Sequence, residues 1–220
     1  MREQLQELAN SGKLGGTSSC SARKSRRHSS LWRMMVAIVL LYVCLLRCPL
    51  RLYAEEVTVP LSMQVQLLTL VADYDKGFAE RARGRTKIVL LTSKSPDSER
   101  ALTQVQTALA QIGQIGGQPH EESTVVFESG AALSALCRTS GISIVFLMPG
   151  LQNNIAEIKR SLDGLDVLSV ASIGSYVHQG IVLGFDVVSG KPKLLVNLEQ
   201  AHSQKISFKS ELLKMVRVVD

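Results

Sequence analysis

Two groups of residues in the sequence have side chains of the types that support catalysis or metal binding. His120-Glu121-Glu122 begins like the His-Glu-x-x-His motif of zinc proteases, which holds the metal through two imidazole rings. Position 124 is threonine, so the second ring is missing. The stretch also leads into a predicted strand, whereas the motif requires a helix. We therefore predict no metal site here.

The second group is Ser175, His178 and Asp186, which together have the three chemistries of a nucleophilic triad. No Gly-x-Ser-x-Gly nucleophile elbow accompanies them, and three such residues within a dozen positions arise easily by chance. A surface histidine in a loop is the favoured interpretation of His178. We predict no catalytic residue, and an enzyme, for example a hydrolase, is our third hypothesis.

Gly113, Gly116 and Gly117 are the nearest approach to a phosphate-binding loop. They follow a predicted helix, whereas phosphate-binding glycines follow a strand, so they are interpreted as turn residues and no cofactor is predicted. Cys137 is the single cysteine after residue 54, which excludes an internal disulfide there. Its apolar surroundings favour a buried helical residue over a reactive or intermolecular thiol.

Charge is divided unevenly along the chain of 220 residues. Residues 1–54 hold nine Lys or Arg and two Asp or Glu; removing these from the totals of 25 and 19 leaves 16 basic and 17 acidic residues. The remainder therefore has a net charge of −1, although the whole chain is at +6. A domain without excess positive charge is not predicted to bind nucleic acid.

The basic N-terminal part has the organisation of an export signal. Residues 1–33 are predicted to be a disordered basic n-region, and residues 34–54 the h- and c-region of a signal peptide. The apolar run of about 13 residues is short for a membrane span. Arg47 and Arg51 follow it, so a signal anchor that is not cleaved before Glu55 remains an alternative. Either outcome places residues 55–220 in the periplasm.

Strand and helix patterns alternate after the leader, which predicts an α/β domain: a mostly parallel central sheet with helices on both faces. A C-terminal β-hairpin and a closing helix complete it. The predicted helices are 61–82, from Asp97 or Ser98 to 112, 130–138, 155–162 and 208–218, and the predicted strands are 87–92, 123–127, 142–148, 167–171, 181–188 and 193–198.

Loops at the strand ends are the candidate surfaces for partner contact. The Pro149-Gly150 turn follows the strongest predicted strand, and the Gly174–Gly180 loop contains Tyr176 and His178. The same residues are also typical of simple chain reversals.

The last third of the chain resembles the YfiR/HmsC family of bacterial periplasmic proteins. The resemblance depends on three segments: Val167-Leu168-Ser169-Val170, the hairpin from Gly180 to Leu198, and the closing Ser210-Glu211-Leu212-Leu213. It implies a dimerising α/β regulator that binds the periplasmic sensor region of an inner-membrane diguanylate cyclase and that an outer-membrane lipoprotein can sequester. Other members serve sensor kinases or transport systems. The disulfides of well-known members are not expected here, because only Cys137 lies in the domain.

Two non-enzymatic hypotheses follow. The first is an exported regulator of a membrane signalling protein, either a GGDEF cyclase or a histidine kinase, with an output such as cyclic-di-GMP and biofilm. The second is a periplasmic small-ligand receptor that resembles one lobe of a solute-binding protein, with its ligand at the strand ends.

Overall fold

A computed structural model describes residues 59–219, and the predicted leader over residues 1–54 lies outside these residues. The helices are α1 Leu61–Tyr74, α2 Phe78–Ala82, α3 Pro96–Leu109, α4 Gly130–Ser140, α5 Ile155–Leu162, α6 Leu198–Ser203 and α7 Ser210–Leu213, with a 3-10 helix at Gly174–Gln179. The strands are β1 Thr86–Thr92, β2 Gln114–Ile115, β3 Gln118–Val126, β4 Ile144–Leu147, β5 Leu168–Ala171, β6 Leu183–Val188, β7 Lys191–Asn197 and β8 Arg217–Val219. Within the described range, no helix is long and apolar enough to cross a membrane.

The eight strands form one sheet in the order β2-β3-β1-β4-β5-β6-β7-β8. Strands β3, β1, β4, β5 and β6 run parallel to one another. At the two sides of this group, β2 is antiparallel to β3 and β7 is antiparallel to β6. Strand β8 pairs parallel to β7 at the far edge. The predicted α/β class with a mostly parallel sheet is confirmed.

Helices cover both faces of this sheet. Side chains alternate along β1: Ile88 and Leu90 pack with residues of α1 and α3, whereas Val89 and Leu91 pack with residues of α4 and α5. We name these the α1–α3 face and the α4–α5 face. A strand that is dry on both sides must be apolar throughout, and this explains why β4 (Ile-Val-Phe-Leu) contains no polar residue.

Helix α3 begins earlier than predicted. Its cap is Ser95, whose Oγ accepts a hydrogen bond from the Ser98 amide at 3.2 Å, rather than Asp97 or Ser98. Pro96 occupies the first helical position, where its fixed φ suits the helix and its missing N–H leaves no donor unsatisfied.

The predicted helix over residues 61–82 is interrupted. Asp75 has an extended backbone (φ −84°, ψ 116°) and forms an antiparallel bridge to Phe208, while the Lys76 amide donates to the Ser207 carbonyl at 2.9 Å. Pairing with a distant segment therefore overrides the helical pattern. The interruption separates α1 from α2.

A buried charged cluster holds this interruption in place. The Arg81 guanidinium contacts the carboxylate of Asp75, which is fully buried, and also that of the half-exposed Asp166 at 2.8 Å. Desolvation raises the pKa of Asp75, and the adjacent guanidinium offsets part of that rise. The cluster ties the α1–α2 junction to the segment that leads into β5.

The C-terminus also differs from its prediction. The closing helix is a single turn, α7, rather than the whole of 208–218, and Arg217–Val219 extends the sheet as β8. The hairpin before it is confirmed: β6 and β7 are joined by Ser189 and Gly190, both at positive φ (51° and 75°). Such two-residue turns match the twist of the strands that they join.

Candidate functional site

The carboxyl end of the parallel sheet has one point where its connections diverge. Strand β1 lies between β3 and β4. The chain leaves β1 for α3 on the α1–α3 face, and leaves β4 for α5 on the α4–α5 face. Doubly wound sheets bind ligands in the crevice outside such a point. The β1–α3 loop and the β4–α5 loop meet at this point of the sheet.

These two loops touch each other. The Ser93 hydroxyl donates a hydrogen bond to the carbonyl oxygen of Pro149 at 3.4 Å. Its oxygen also lies 2.9 Å from the hydroxyl oxygen of Ser95. Gly150 has φ +88°, and a Cβ built on it would lie 2.4 Å from Ser93 Oγ and 2.5 Å from Ser95 Oγ. The two loops thus contact each other across the crevice through serine hydroxyls, and a side chain at position 150 would force both serines to move.

Tyr176 fixes the 3-10 helix to the same place. Its side chain is buried, with the residue 1% exposed. The phenol oxygen accepts a hydrogen bond from the Leu151 amide at 3.0 Å. The phenol O–H donates a second hydrogen bond to Gln152 Oε1 at 3.3 Å. Burial raises the pKa of Tyr176, so the phenol stays protonated and keeps both roles. The two loops that the sequence singled out, at 149–150 and 174–180, are therefore one continuous surface, which we name the strand-end surface.

The four predicted partner-contact residues occupy different depths of the strand-end surface. Pro149 and Gly150 are half-buried, Tyr176 is buried as described, and His178 is exposed. Tyr176 therefore positions the others and offers no side-chain area to a partner. Contact of Pro149, Gly150 and His178 with a partner stays a prediction.

The triad chemistry considered for His178 has no matching geometry. Within residues 59–219, no hydrogen bond joins His178 to Ser175 or Asp186. The Asp186 carboxylate instead accepts from the adjacent Val187 amide at 2.7 Å.

His120 lies inside β3, which starts at Gln118 rather than at residue 123. Its Nε2 is 2.8 Å from the Ile112 carbonyl and its Nδ1 is 3.5 Å from a carboxylate oxygen of Glu122. The ring thus attaches the β2–β3 hairpin to the segment that follows α3. The part of the chain that the structure describes contains no group of three His, Cys, Asp or Glu residues placed to hold a metal.

Cys137 is buried on α4, in agreement with its interpretation as a core residue. Burial raises the pKa of the thiol to about 11, so it is protonated at neutral pH.

A family model described as YfiR/HmsC-like matches residues 79–217. The match covers β1 to β7 and the first residue of β8, and it includes every loop of the strand-end surface. The chain belongs to the YfiR/HmsC-like family.

Solved structures similar to this YfiR/HmsC-like chain share little sequence with it. One is a conserved domain protein from Vibrio cholerae O1 biovar El Tor, with 12% identity, a TM-score of 0.52, and coverage of 75% of this chain and 61% of that chain. Another is the ABC domain in complex with L-Trp from Streptococcus pneumonia, with 16% identity, a TM-score of 0.49, and coverage of 73% and 62%. The first similarity supports the fold alone. The chain thus spans about three fifths of each, and no curated protein matches it in sequence.

Sequence reasoning missed Ser93 and Ser95 of this YfiR/HmsC-like domain as residues of the strand-end surface. A signal was present, because Ser93-Lys94-Ser95-Pro96 places two hydroxyl groups directly after a buried strand. That signal does not reveal the contact with Pro149 and Gly150, which depends on β1 and β4 being neighbours in the sheet.

Proposed function

We propose that this protein is an exported, non-enzymatic regulator that binds the periplasmic sensor region of an inner-membrane signalling protein. The partner is a diguanylate cyclase or a histidine kinase, and the output is of the cyclic-di-GMP and biofilm type. The observation that carries this proposal is membership of the YfiR/HmsC-like family over residues 79–217. The export signal predicted in residues 1–54 supports the location.

The contact between the two loops favours recognition of a protein over recognition of a small molecule. Ser93 and Pro149 meet at the position where a doubly wound domain would hold a ligand. What remains accessible is the outer side of the strand-end surface, including the imidazole of His178. In the same proposal, the chain forms a homodimer and an outer-membrane lipoprotein sequesters it.

Deletion of the gene tests this function directly. In a strain that carries the signalling partner, loss of the regulator should raise cyclic-di-GMP or kinase output, and the full-length chain should restore the original level. An unchanged output in the deletion strain would contradict the proposal.

A histidine pair tests the strand-end surface. His178→Asp should weaken co-purification of the full-length protein with its membrane partner, because it replaces an exposed imidazole at the proposed contact. His202→Asp makes the same change at an exposed position on α6 and should have no effect. Equal co-purification of both variants would move the contact to another surface.

A small-ligand receptor is the second candidate, favoured by the divergence of connections between β1 and β4. It requires the Ser93–Pro149 contact to open on binding. A thermal-shift screen with free amino acids would support it through a concentration-dependent rise in melting temperature. The Ser93→Ala variant should then change the shift.

A further inference from the structure

Among the strands of residues 59–219, none pairs with a long stretch of one backbone edge of β3. On its inner side, β3 pairs with β1 over His120–Val126. On its outer side, β2 pairs only with Gln118 and Pro119. The Phe127 amide donates to Thr92 of β1, so alternation along the strand turns residues 120, 122, 124 and 126 outward. Their amides and carbonyls are available to another strand.

An apolar groove of about 410 Å³ runs beside this edge on the α4–α5 face. Leu91 and Val125 of the sheet line it on one side, and Ala132, Leu133 and Leu136 of α4 on the other. A strand added outside β3 would lie about 4.8 Å away. Alternate side chains of that strand would then enter the groove.

The second half of the edge, Ser123–Val126, lacks the usual protection against pairing. Natural sheet edges are blocked by charged side chains, above all lysine, and by proline, bulges or very short strands. The seven residues His120–Val126 contain neither proline nor lysine, and Val126 is 39% exposed. A stretch that is this long, extended and accessible is suited to strand addition.

The charges at the edge indicate what kind of strand it accepts. Glu121 is within 4 Å of Arg85 and Lys87. The Glu122 carboxylate lies beside the ring of His120, and Glu128 is an exposed acidic group next to the groove. The residues of α4 that line the groove are uncharged. A second copy of β3 would bring its own carboxylates to the same short ladder, which is unfavourable. A segment with Lys or Arg would be attracted.

We propose that the β3 edge and its groove bind an extended segment that alternates apolar and basic residues, contributed by the signalling partner as a further strand of the sheet. The inference rests on the proposed function for the identity of the partner. The binding site itself depends only on the geometry of β3 and α4.

The test uses the full-length chain in a nonionic detergent and a fluorescein-labelled heptapeptide that alternates lysine and valine. Fluorescence anisotropy should show saturable binding that weakens as salt rises. A heptapeptide that alternates glutamate and valine should bind at least about tenfold more weakly. Hydrogen exchange at Glu122 and Thr124 should slow when the lysine peptide is bound.

Two matched pairs of variants locate the binding. Thr124→Pro removes an outward amide and should weaken peptide binding by about tenfold, whereas Thr124→Ala keeps the amide and should bind normally. Ala132→Trp fills the groove and should also weaken binding, whereas Ala131→Trp, on the α5 side of the same helix, should not. Circular dichroism checks that all four variants fold.

The outcomes separate this proposal from the proposed function. If the peptide does not bind, or binds all four variants equally, the docking site is wrong even when gene deletion raises the signalling output. If the peptide binds as expected but deletion changes nothing, the site stands and the proposed function fails. If light scattering shows self-association that Thr124→Pro abolishes, a second copy occupies the edge and the proposal is overturned.

Discussion

The strand-end surface and the β3 edge are both parts of the sheet's periphery, but they are built in opposite ways. At the strand ends, loops from three strands bond to one another through Ser93, Pro149 and Tyr176, so polar groups are satisfied within the chain. Along β3, the outward backbone groups of residues 120–126 have no strand beside them in the described part of the chain. The difference indicates that substitutions at the strand ends should change stability, whereas substitutions at the edge should change binding.

Truncation of Tyr176 should produce the largest effect. Tyr176→Ala removes a fully buried aromatic side chain and its bond to Leu151, which should cost about 4 kcal/mol of unfolding free energy. His178→Ala, two residues away and exposed, should stay within about 0.5 kcal/mol. Urea unfolding of the full-length variants measures both values. Similar values for the pair would show that the 3-10 helix is not fixed through Tyr176.

Glycine substitutions provide the next comparison. Gly150→Ala forces a side chain into positive φ and against two serine hydroxyls, which should cost about 3 kcal/mol. Gly190→Ala meets the same backbone penalty (φ +75°) in open space and should cost about 1 kcal/mol. Thermal unfolding distinguishes them. An equal loss would mean that the two strand-end loops are not in contact in solution.

Removing only the phenol oxygen should have a smaller effect. Tyr176→Phe leaves the Leu151 amide without its acceptor, at a cost of about 1–2 kcal/mol. Burial raises the pKa of the Tyr176 phenol in the folded state above the value of 10.0 that it has in the unfolded chain. The phenol therefore stabilises the fold fully below pH 10.0, and this stabilisation is lost as pH rises through the folded-state pKa.

Unfolding measured from pH 8 to about pH 11 checks this dependence. Wild type should lose stability above about pH 10, and Tyr176→Phe should lose less. Tyr74→Phe, at a half-buried position on α1, is the matched control and should follow wild type. Identical curves for wild type and Tyr176→Phe would place the phenol in solvent.

The smallest effect on stability is expected at the β3 edge. Thr124→Pro removes an outward amide and should cost less than about 1 kcal/mol, since proline is tolerated where a strand's N–H faces solvent. Ser123→Pro removes an amide that faces β1 and should cost about 3 kcal/mol. Chemical unfolding of this adjacent pair tests the register. A reversed order would mean that β3 is shifted by one residue.

The sequence was sufficient to predict elements whose pattern is local. The run Ile142–Met148 could be assigned as a buried strand because every residue in it except Ser143 is apolar. The short predicted connection Ser189-Gly190-Lys191-Pro192 indicated a hairpin. The resemblance around Val167–Val170 led to the correct family. These features depend on neighbouring residues alone.

Features that depend on distant contacts were not predictable. The spacing of Phe208, Leu212 and Val216 fits a helix, yet residues 217–219 pair with β7, a strand some twenty residues earlier. Asp75 ends α1 because the residues on either side of it bond to residues 207 and 209, and Asp75 itself bridges to Phe208. Tyr176 was selected as a loop residue, but its acceptor role for Leu151 depends on how β4 and β5 lie side by side.

The position of α1 bears on where the folding unit begins. The family match starts at residue 79, after α1 and after Asp75. Yet Val65, Leu68 and Val71 are fully buried beneath the sheet, and Asp75 is the buried partner of Arg81. A fragment cut at the start of the match would lose these side chains, expose the apolar sheet face that they cover, and leave Arg81 without its buried carboxylate. The segment that identifies the family is therefore shorter than the segment that an expression or crystallisation experiment must include. That longer segment starts no later than Val59, a buried core residue just before α1.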